Sequence, residues 1–339
     1  MLSGVFRWLL MLVSCSAVTS LQPRCVVLRR ITAAQWLPTR RFFMHNSNST
    51  VFDIIGDVHG HMAKLDSLLL QLGYQHNGEH YYQDGHCAVF VGDLIDKGPQ
   101  PAAVLQQVRA MVDSGNALMV IGNHEINWIN DAADYTADAQ AFIRATHKHR
   151  DRLRISNAYQ HDPAALVDMF AWLRRQPLYI DLPQLRVVHA CWNEEAIELL
   201  QAAGIECMDD NALDAYRERY SDLYLAIDLV VAGCMHQFPL EAPEQGEFTS
   251  LRSRIRWFPL GNIYVNAVEL QPLPVKHPPY PAEAAPLFFG HYALDGGPDI
   301  LASNLSGVDF SAAYGRALTA YRLRPGEPLH KRNFFRSRC

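Results

Sequence analysis

The seven cysteines include no Cys-x-x-Cys pair, and their number is odd. Cys15, Cys25, Cys87, Cys191, Cys207, Cys234 and Cys339 are scattered along the chain, which speaks against a disulfide framework or a thiolate zinc site. Cys87 and Cys191 read as small buried residues and not as nucleophiles. Excess charge is also scarce. A formal net charge of -5 argues against a strongly basic nucleic-acid surface. It does not weigh against a small phosphorylated substrate, which meets a local cationic pocket and not the average surface. The chain also lacks an apolar run of bilayer length: Trp8 to Val13 is too short to span a membrane. No internal repeat at solenoid spacing occurs. What remains, 49% hydrophobic and 19% charged residues, is the composition of a soluble globular protein.

Residues 1–44 differ from the rest. Leu12-Val13-Ser14-Cys15 fits a lipoprotein cleavage box, and the acid-free stretch with Arg24, Arg29, Arg30, Arg40 and Arg41 resembles an organelle transit peptide. Alternatively the start codon is misassigned and Met44 begins the protein. The expected location is cytoplasmic, or exported or organellar if the leader is real. In each case the fold is expected to begin after residue 44, with one catalytic domain over 51–328 and a basic tail at 329–339.

Five apolar runs each lead into a short cluster of metal-binding residue types. Val51–Ile55 leads into Gly56-Asp57-Val58-His59-Gly60, and Cys87–Val91 into Gly92-Asp93-Leu94-Ile95-Asp96-Lys97-Gly98. Ala117–Ile121 leads into Gly122-Asn123-His124-Glu125, Leu185–Val188 into His189, and Leu287–Phe289 into Gly290-His291. Open α/β sheets place ligands where strands end, so these runs bring Asp, His, Asp, Asn, His and His to one edge. Singly, Asp57 and Asp93 also suit helix N-caps, Asn123 a turn, and His189 and His291 satisfied core positions. Five coincidences in chain order favour a dinuclear metal site.

The intervening pattern is that of a βαβαβ unit with parallel strands. Met62, Leu65, Leu68, Leu69 and Leu72 recur at helical spacing before Gly73. Gln75–Gly85 suggests a hairpin, and Pro101 opens a helix bearing Val104, Leu105, Val108 and Met111. A mostly helical insert is expected between Glu125 and Pro183, with Leu166, Val167, Phe170 and Leu173 on its clearest apolar face. A second helical region covers Glu194–Ile227. Pro272–Pro286 reads as an extended loop, and Leu318–Leu323 as the last strand. His147-Lys148-His149-Arg150 reads as a solvated helix face. His76, His80 and His86 flank the hairpin without a shared face with acids.

These clusters resemble the calcineurin-like metallophosphoesterases, with matching segments from Asp53 to His291. The resemblance implies an α/β sandwich of two central β-sheets flanked by helices, with helical inserts. Its pattern assigns Asp57 and His59 to one metal and Asn123, His189 and His291 to a second, with Asp93 shared. Two divalent cations about 3.5–4 Å apart clamp the attacking and leaving oxygens of an in-line displacement and generate a bridging hydroxide near neutral pH. Carboxylate, amide and imidazole donors suit Mn²⁺ first, with Fe or Zn²⁺ as alternatives.

Gly92-Asp93-Leu94-Ile95-Asp96-Lys97-Gly98 is similar to the pattern of phosphoprotein phosphatases, in which Asp96 would orient His124 to protonate the leaving alkoxide. Lys97 stands where those enzymes carry a phosphate-gripping arginine. A second cationic grip is expected from Arg256 first and Arg254 second; alternate spacing puts Arg252, Arg254 and Arg256 on one strand face. Ile121 before Gly122, and Gly290-His291-Tyr292-Ala293 without a second histidine, depart from the wider patterns and resemble symmetrical diadenosine tetraphosphatases and the bacterial phosphoprotein-phosphatase-like enzymes. Two substrate readings therefore stand: a serine or threonine phosphate in a protein, or diadenosine tetraphosphate or a related nucleotide. A reading from another class is a catalytically silent binding module on the same fold. The expected partners are a phosphorylated small molecule, nucleotide or phosphoprotein, with no nucleic-acid duplex.

Overall fold

Val51–Ile55 forms strand β1, as the apolar run predicts, in a computed structural model that describes residues 50–133, 143, 150–237, 252–259, 264–265 and 279–338. All of these belong to a compact unit, Pro38–Cys339; the leader and His147–His149 lie outside the described residues. After β1 comes the helix Met62–Leu72, which buries Leu65, Leu68, Leu69 and Leu72 and ends at Gly73 in the left-handed conformation. The expected hairpin pairs β2 (Gln75–His76) with β3 (Tyr81–Tyr82). Next come β4 (His86–Phe90), the helix Pro101–Asp113 with Val104, Leu105, Val108 and Met111 buried, and β5 (Ala117–Met119). β1, β4 and β5 are parallel, as the βαβαβ pattern requires. β5 is two residues shorter than the apolar run. Val120 N–H still bonds the Phe90 carbonyl, but Ile121 N–H turns away to Pro177.

Among the described residues, the helical insert holds the helices Asn123–Ala132, Arg150–Ala158 and Pro163–Arg174. It ends earlier than Pro183. Alternating Ile180 and Leu182 form β6 (Tyr179–Leu182), a hairpin partner of β7 (Leu185–Val188). Val167 is 42% exposed, a departure from the expected apolar face; Met169 and Trp172 are buried with Leu166, Phe170 and Leu173 instead. Helices Glu194–Ala202, Asp210–Arg217 and Asp222–Ala232 cover the second helical region.

β8 (Met235–Gln237) pairs with β9 (Arg252–Arg254), so Arg256 lies beyond the strand that was expected to carry all three arginines. β10 (Tyr264–Val265) pairs with β12 (Leu294–Asp295), on either side of β11 (Leu287–Phe289) in sequence. Of the proline-rich loop Pro272–Pro286, residues 272–278 lie outside the described residues. β13 (Leu305–Gly307) and β14 (Thr319–Leu323) follow, and β14 is not the last strand. β15 (Phe334–Arg336), inside the segment read as a basic tail, pairs antiparallel with β14. Its aromatic residues carry it: Phe334 packs against Phe310 and Tyr321.

Besides the three two-stranded pairs, two larger sheets form among the described residues, in the orders β15-β14-β1-β4-β5 and β13-β11-β7-β6. Phe52, Ile54, Cys87, Val89, Val187, Phe288 and Tyr321 share one buried cluster between them. The alternate residues Ile55, Ala88, Phe90 and Met119 face the helices, alongside Leu65, Leu69 and Val104. This is the expected sandwich. On the helix side, Asp53 is buried but paired: Arg322 Nε and Nη2 donate to its two oxygens at 2.7 and 3.0 Å. His86 Nδ1 lies 3.0 Å away, so His86 does share a face with an acid, in a structural pair remote from the strand edge. No described helix is long and apolar enough to cross a membrane.

Candidate metal centre

β1, β4 and β5 run parallel in one sheet, and β7 and β11 run parallel in the other, so each set ends together. The residues following these five ends meet around Asp93. Asp93 Oδ2 lies 3.6 Å from His59 Nε2 and 3.8 Å from His124 Nε2. Its Oδ1 lies 3.4 Å from His189 Nε2 and accepts the His124 backbone N–H at 3.0 Å. Among the described residues, two groups could hold a cation: His59, Asp93 and His124, and Asp93, His189 and His291. Asp93 is common to both.

The other expected residues surround this acid. Asn123 Oδ1 is 2.9 Å from His291 Nδ1 and 3.2 Å from His189 Nε2. Asp57 accepts the His291 backbone N–H, at 3.1 Å to its nearer oxygen. His124 Nδ1 and Asp96 Oδ2 are 2.5 Å apart, and Lys97 Nζ is 3.4 Å from His59 Nε2. Arg254, half-buried, donates from Nη1 to the His291 carbonyl at 3.0 Å. Arg256 is exposed, and no described contact ties it to the centre.

The backbone is strained where the side chains converge. His59, Asp93, Asp96, Lys97 and His291 all have positive φ, between 45 and 67°. Such residues persist only where their surroundings hold them. Here the loops hold each other: His59 N–H bonds the Asp93 carbonyl at 2.8 Å, and Gly60 N–H bonds Leu94 at 2.7 Å. Gly122 and Gly290 permit the approach, since a Cβ at either would strike the carboxylate of Asp93 or Asp57 respectively.

Two contributors were not identified from sequence. Glu125 is fully buried, and its Oε2 accepts from Asp93 N–H at 2.9 Å and Gly122 N–H at 3.0 Å. Its Oε1 accepts from Leu94 and Ile95 at 2.8 and 3.3 Å. One carboxylate thus fixes the backbone that aims Asp93. The sequence signal was its place as third residue of the helix Asn123–Ala132, from which a glutamate reaches back to the N–H of the N-cap residue Gly122. Asp309 follows β13 and accepts Ala293 and Ser311 N–H groups at 2.7 and 2.9 Å. Leu305 to Val308 is a sixth apolar strand end of the kind that marked the other five.

Burial sets the protonation of the centre. It lowers His59 to about 3, and with help from the Arg254 charge it lowers His291 well below the ordinary imidazole range. Both rings are neutral and carry a lone pair. Burial raises Asp57 well above the carboxylate range, and the nearby charges of Asp309 and Asp93 add to this. For Asp93, His189 and His124 overcome burial and hold it well below that range. His124 is raised: burial opposes this, and Asp93 and Asp96 outweigh it. His189 is raised chiefly by Asp93, also against burial. His291 Nε2 is buried with no hydrogen-bond partner. A neutral imidazole with an orphaned nitrogen, near the buried carboxyl groups of Asp57, Asp93 and Asp309, fits divalent cations, which would supply the missing countercharge and partner.

Residues 50–238 match the family model described as calcineurin-like phosphoesterase. The chain is 46% identical over 74 residues to the asymmetrical bis(5'-nucleosyl)-tetraphosphatase PrpE of Halalkalibacterium halodurans, covering 22% of this chain and 30% of that protein. It is 31% identical over 135 residues to the symmetrical bis(5'-nucleosyl)-tetraphosphatase of Chromohalobacter salexigens, covering 40% of this chain and 41% of that protein. The matches therefore span well under half of these relatives. A cold-active protein-tyrosine phosphatase of a Shewanella species is similar at 17% identity, with a TM-score of 0.49 over 85% of this chain and 80% of that one. The family match takes in β1, β4, β5 and β7, the strands that carry all but one of the converging ligand-type residues, and spans more than half of the 339 residues: this chain belongs to the calcineurin-like phosphoesterases.

Proposed function

We propose that the protein hydrolyses phosphoric ester or anhydride bonds with two divalent cations, most readily Mn²⁺. Asp57, His59 and Asp93 would hold one, and Asp93, Asn123, His189 and His291 the other. The observation that carries this reading is the position of Asp93, one buried carboxylate common to two histidine groups. When bound, the cations supply the charge that activates water and neutralises the transferring phosphoryl group. The protein's own residues do the rest. Asp96 holds His124 by the 2.5 Å contact, so that the ring can donate a proton to the leaving oxygen as its bond to phosphorus breaks. Lys97 and Arg254 would grip phosphate oxygens; Arg254 takes precedence over Arg256 because it is half-buried and bonded to the His291 carbonyl.

Two substrate readings have separate support. The Asp96–His124 pair suits a poor leaving group such as phosphoserine or phosphothreonine. The named relatives act on bis(5'-nucleosyl) tetraphosphates, which favours a dinucleoside polyphosphate. We place the enzyme in the cytoplasm, subject to the role of residues 1–44. Purified protein with Mn²⁺ should release p-nitrophenol from its phosphate and lose that activity on chelation. No turnover with any divalent metal, from folded protein, would sink the enzymatic reading in favour of a silent module. Comparing diadenosine tetraphosphate with a phosphoserine peptide then chooses the substrate.

A further inference from the structure

Tyr314 is 68% exposed, one of few large hydrophobic side chains that the described surface displays. It stands beside the metal centre. The Lys97 ammonium lies 5.1 Å from its ring centroid and 3.4 Å from His59 Nε2, so one cation rests against both the ring and the centre. The ring sits on a fixed mount. Ala312–Tyr314 forms a 3-10 turn between Ser311 and Gly315, both left-handed. Lys64 Nζ bonds the carbonyls of Ala312 and Arg316 at 2.7 Å each, clamping the turn from both sides. Asp309, which faces Asp57 electrostatically, takes the Ser311 N–H at 2.9 Å. Arg316 in turn pairs with Asp295 at 2.6 Å. An exposed aromatic ring normally gains nothing from such restraint. Held rigid beside a phosphate-gripping lysine, it is a platform for a flat ring.

From this juxtaposition we infer that Tyr314 is a nucleobase-stacking subsite and that the substrate is a nucleoside polyphosphate. The inference rests on the phosphoesterase reading and narrows it. Because the Lys97 ammonium contacts both His59 and the ring, a phosphate held by Lys97 and an aromatic group on Tyr314 need a spacer between them. A ribose and intervening phosphate provide one; a phenyl group bonded directly through its ester oxygen does not. Base–aromatic stacking tolerates any base, so affinity for the base and not its identity is what Tyr314 supplies.

The test compares two non-hydrolysable ligands that differ by adenosine: α,β-methylene adenosine diphosphate and methylenediphosphonate. Calorimetric titration of the Mn²⁺-supplemented full chain should give a preference for the adenosine ligand of roughly 5- to 150-fold, the range of stacking on one side chain. Tyr314→Ala should erase that ratio, and Tyr314→Trp should restore it. A ring that merely shelters Lys97 would weaken both ligands together and leave the ratio intact. The inference is overturned by a wild-type ratio near one, by a ratio that survives Tyr314→Ala, or by an equal preference for phenylphosphonate, which would indicate an aryl or phosphotyrosyl group. Turnover without the adenosine preference sinks this inference alone. The preference without turnover of any phosphate ester or anhydride sinks the phosphoesterase reading alone.

Discussion

Residues delivered by β1, β4 and β5 lie between Asp57 and Glu125 and hold one another. His59 bonds Asp93 through the backbone, Asp96 holds His124, and Glu125 gathers the N–H groups of Asp93, Leu94, Ile95 and Gly122. The second sheet contributes differently. His189 and His291 are positioned by bonds to the first sheet: His189 Nδ1 lies 2.7 Å from the Val91 carbonyl, and His291 reaches Asp57 and Asn123. One half of the centre is organised within a single stretch of chain. The other half exists only once the two sheets have packed. Local loops store the strain, and the sandwich sets the distance between the two histidine groups.

Asp93 belongs to both halves, so its substitution gives the largest effect. Asp93→Asn should abolish turnover, well beyond the roughly 100-fold typical of losing an outer partner of a metal site. Metal analysis should find fewer than two ions per chain; two bound ions with normal activity would refute a shared role. His124→Asn tests the first half alone. It should cost about 10²–10⁴-fold in kcat on substrates with poor leaving groups, and much less on p-nitrophenyl phosphate. Equal losses on both would argue against proton donation by His124. Glu125→Gln, the smallest change, sharpens the contrast between halves. It keeps the side-chain shape but exchanges one acceptor oxygen for a donor that faces N–H groups. Affinity for the cation on the His59 side should fall about 10- to 100-fold, with the His189–His291 side less affected. A metal titration in which both sites weaken equally would mean that the loops and the second sheet are one unit.

Legibility in the sequence follows the same division. The apolar runs of β1, β7 and β11 matched their strands, and the residue types after them named the metal cluster, because both signals are local. Within Gly-Asn-His-Glu the spacing announces only the bond from Glu125 to the Gly122 N–H; the Asp93, Leu94 and Ile95 N–H groups come from a loop about thirty residues away in sequence. Asp309 follows β13 as its partners follow their strands, but its bonds to the Ala293 and Ser311 N–H groups depend on loops that only the fold brings together. The helical face containing Val167 failed for a different reason: Met169 and Trp172 were apolar competitors for the same buried side, and packing chose them. β15 was hidden in a stretch dominated by basic residues, and only pairing with β14 turns Phe334 and Phe335 into an edge strand.

By itself the sequence determined which chemistry is available: five apolar runs ending in Asp, His and Asn, and a family resemblance that the match over residues 50–238 bears out. Only the tertiary structure decided who stands next to whom. It placed Arg254 and not Arg256 at His291, aimed Glu125 at the Asp93 backbone, and set Tyr314 beside Lys97. The reason is physical. Strand ends and side-chain types are properties of a few neighbouring residues, whereas the distance between two sheets and the turn of a distant loop depend on packing across the whole core.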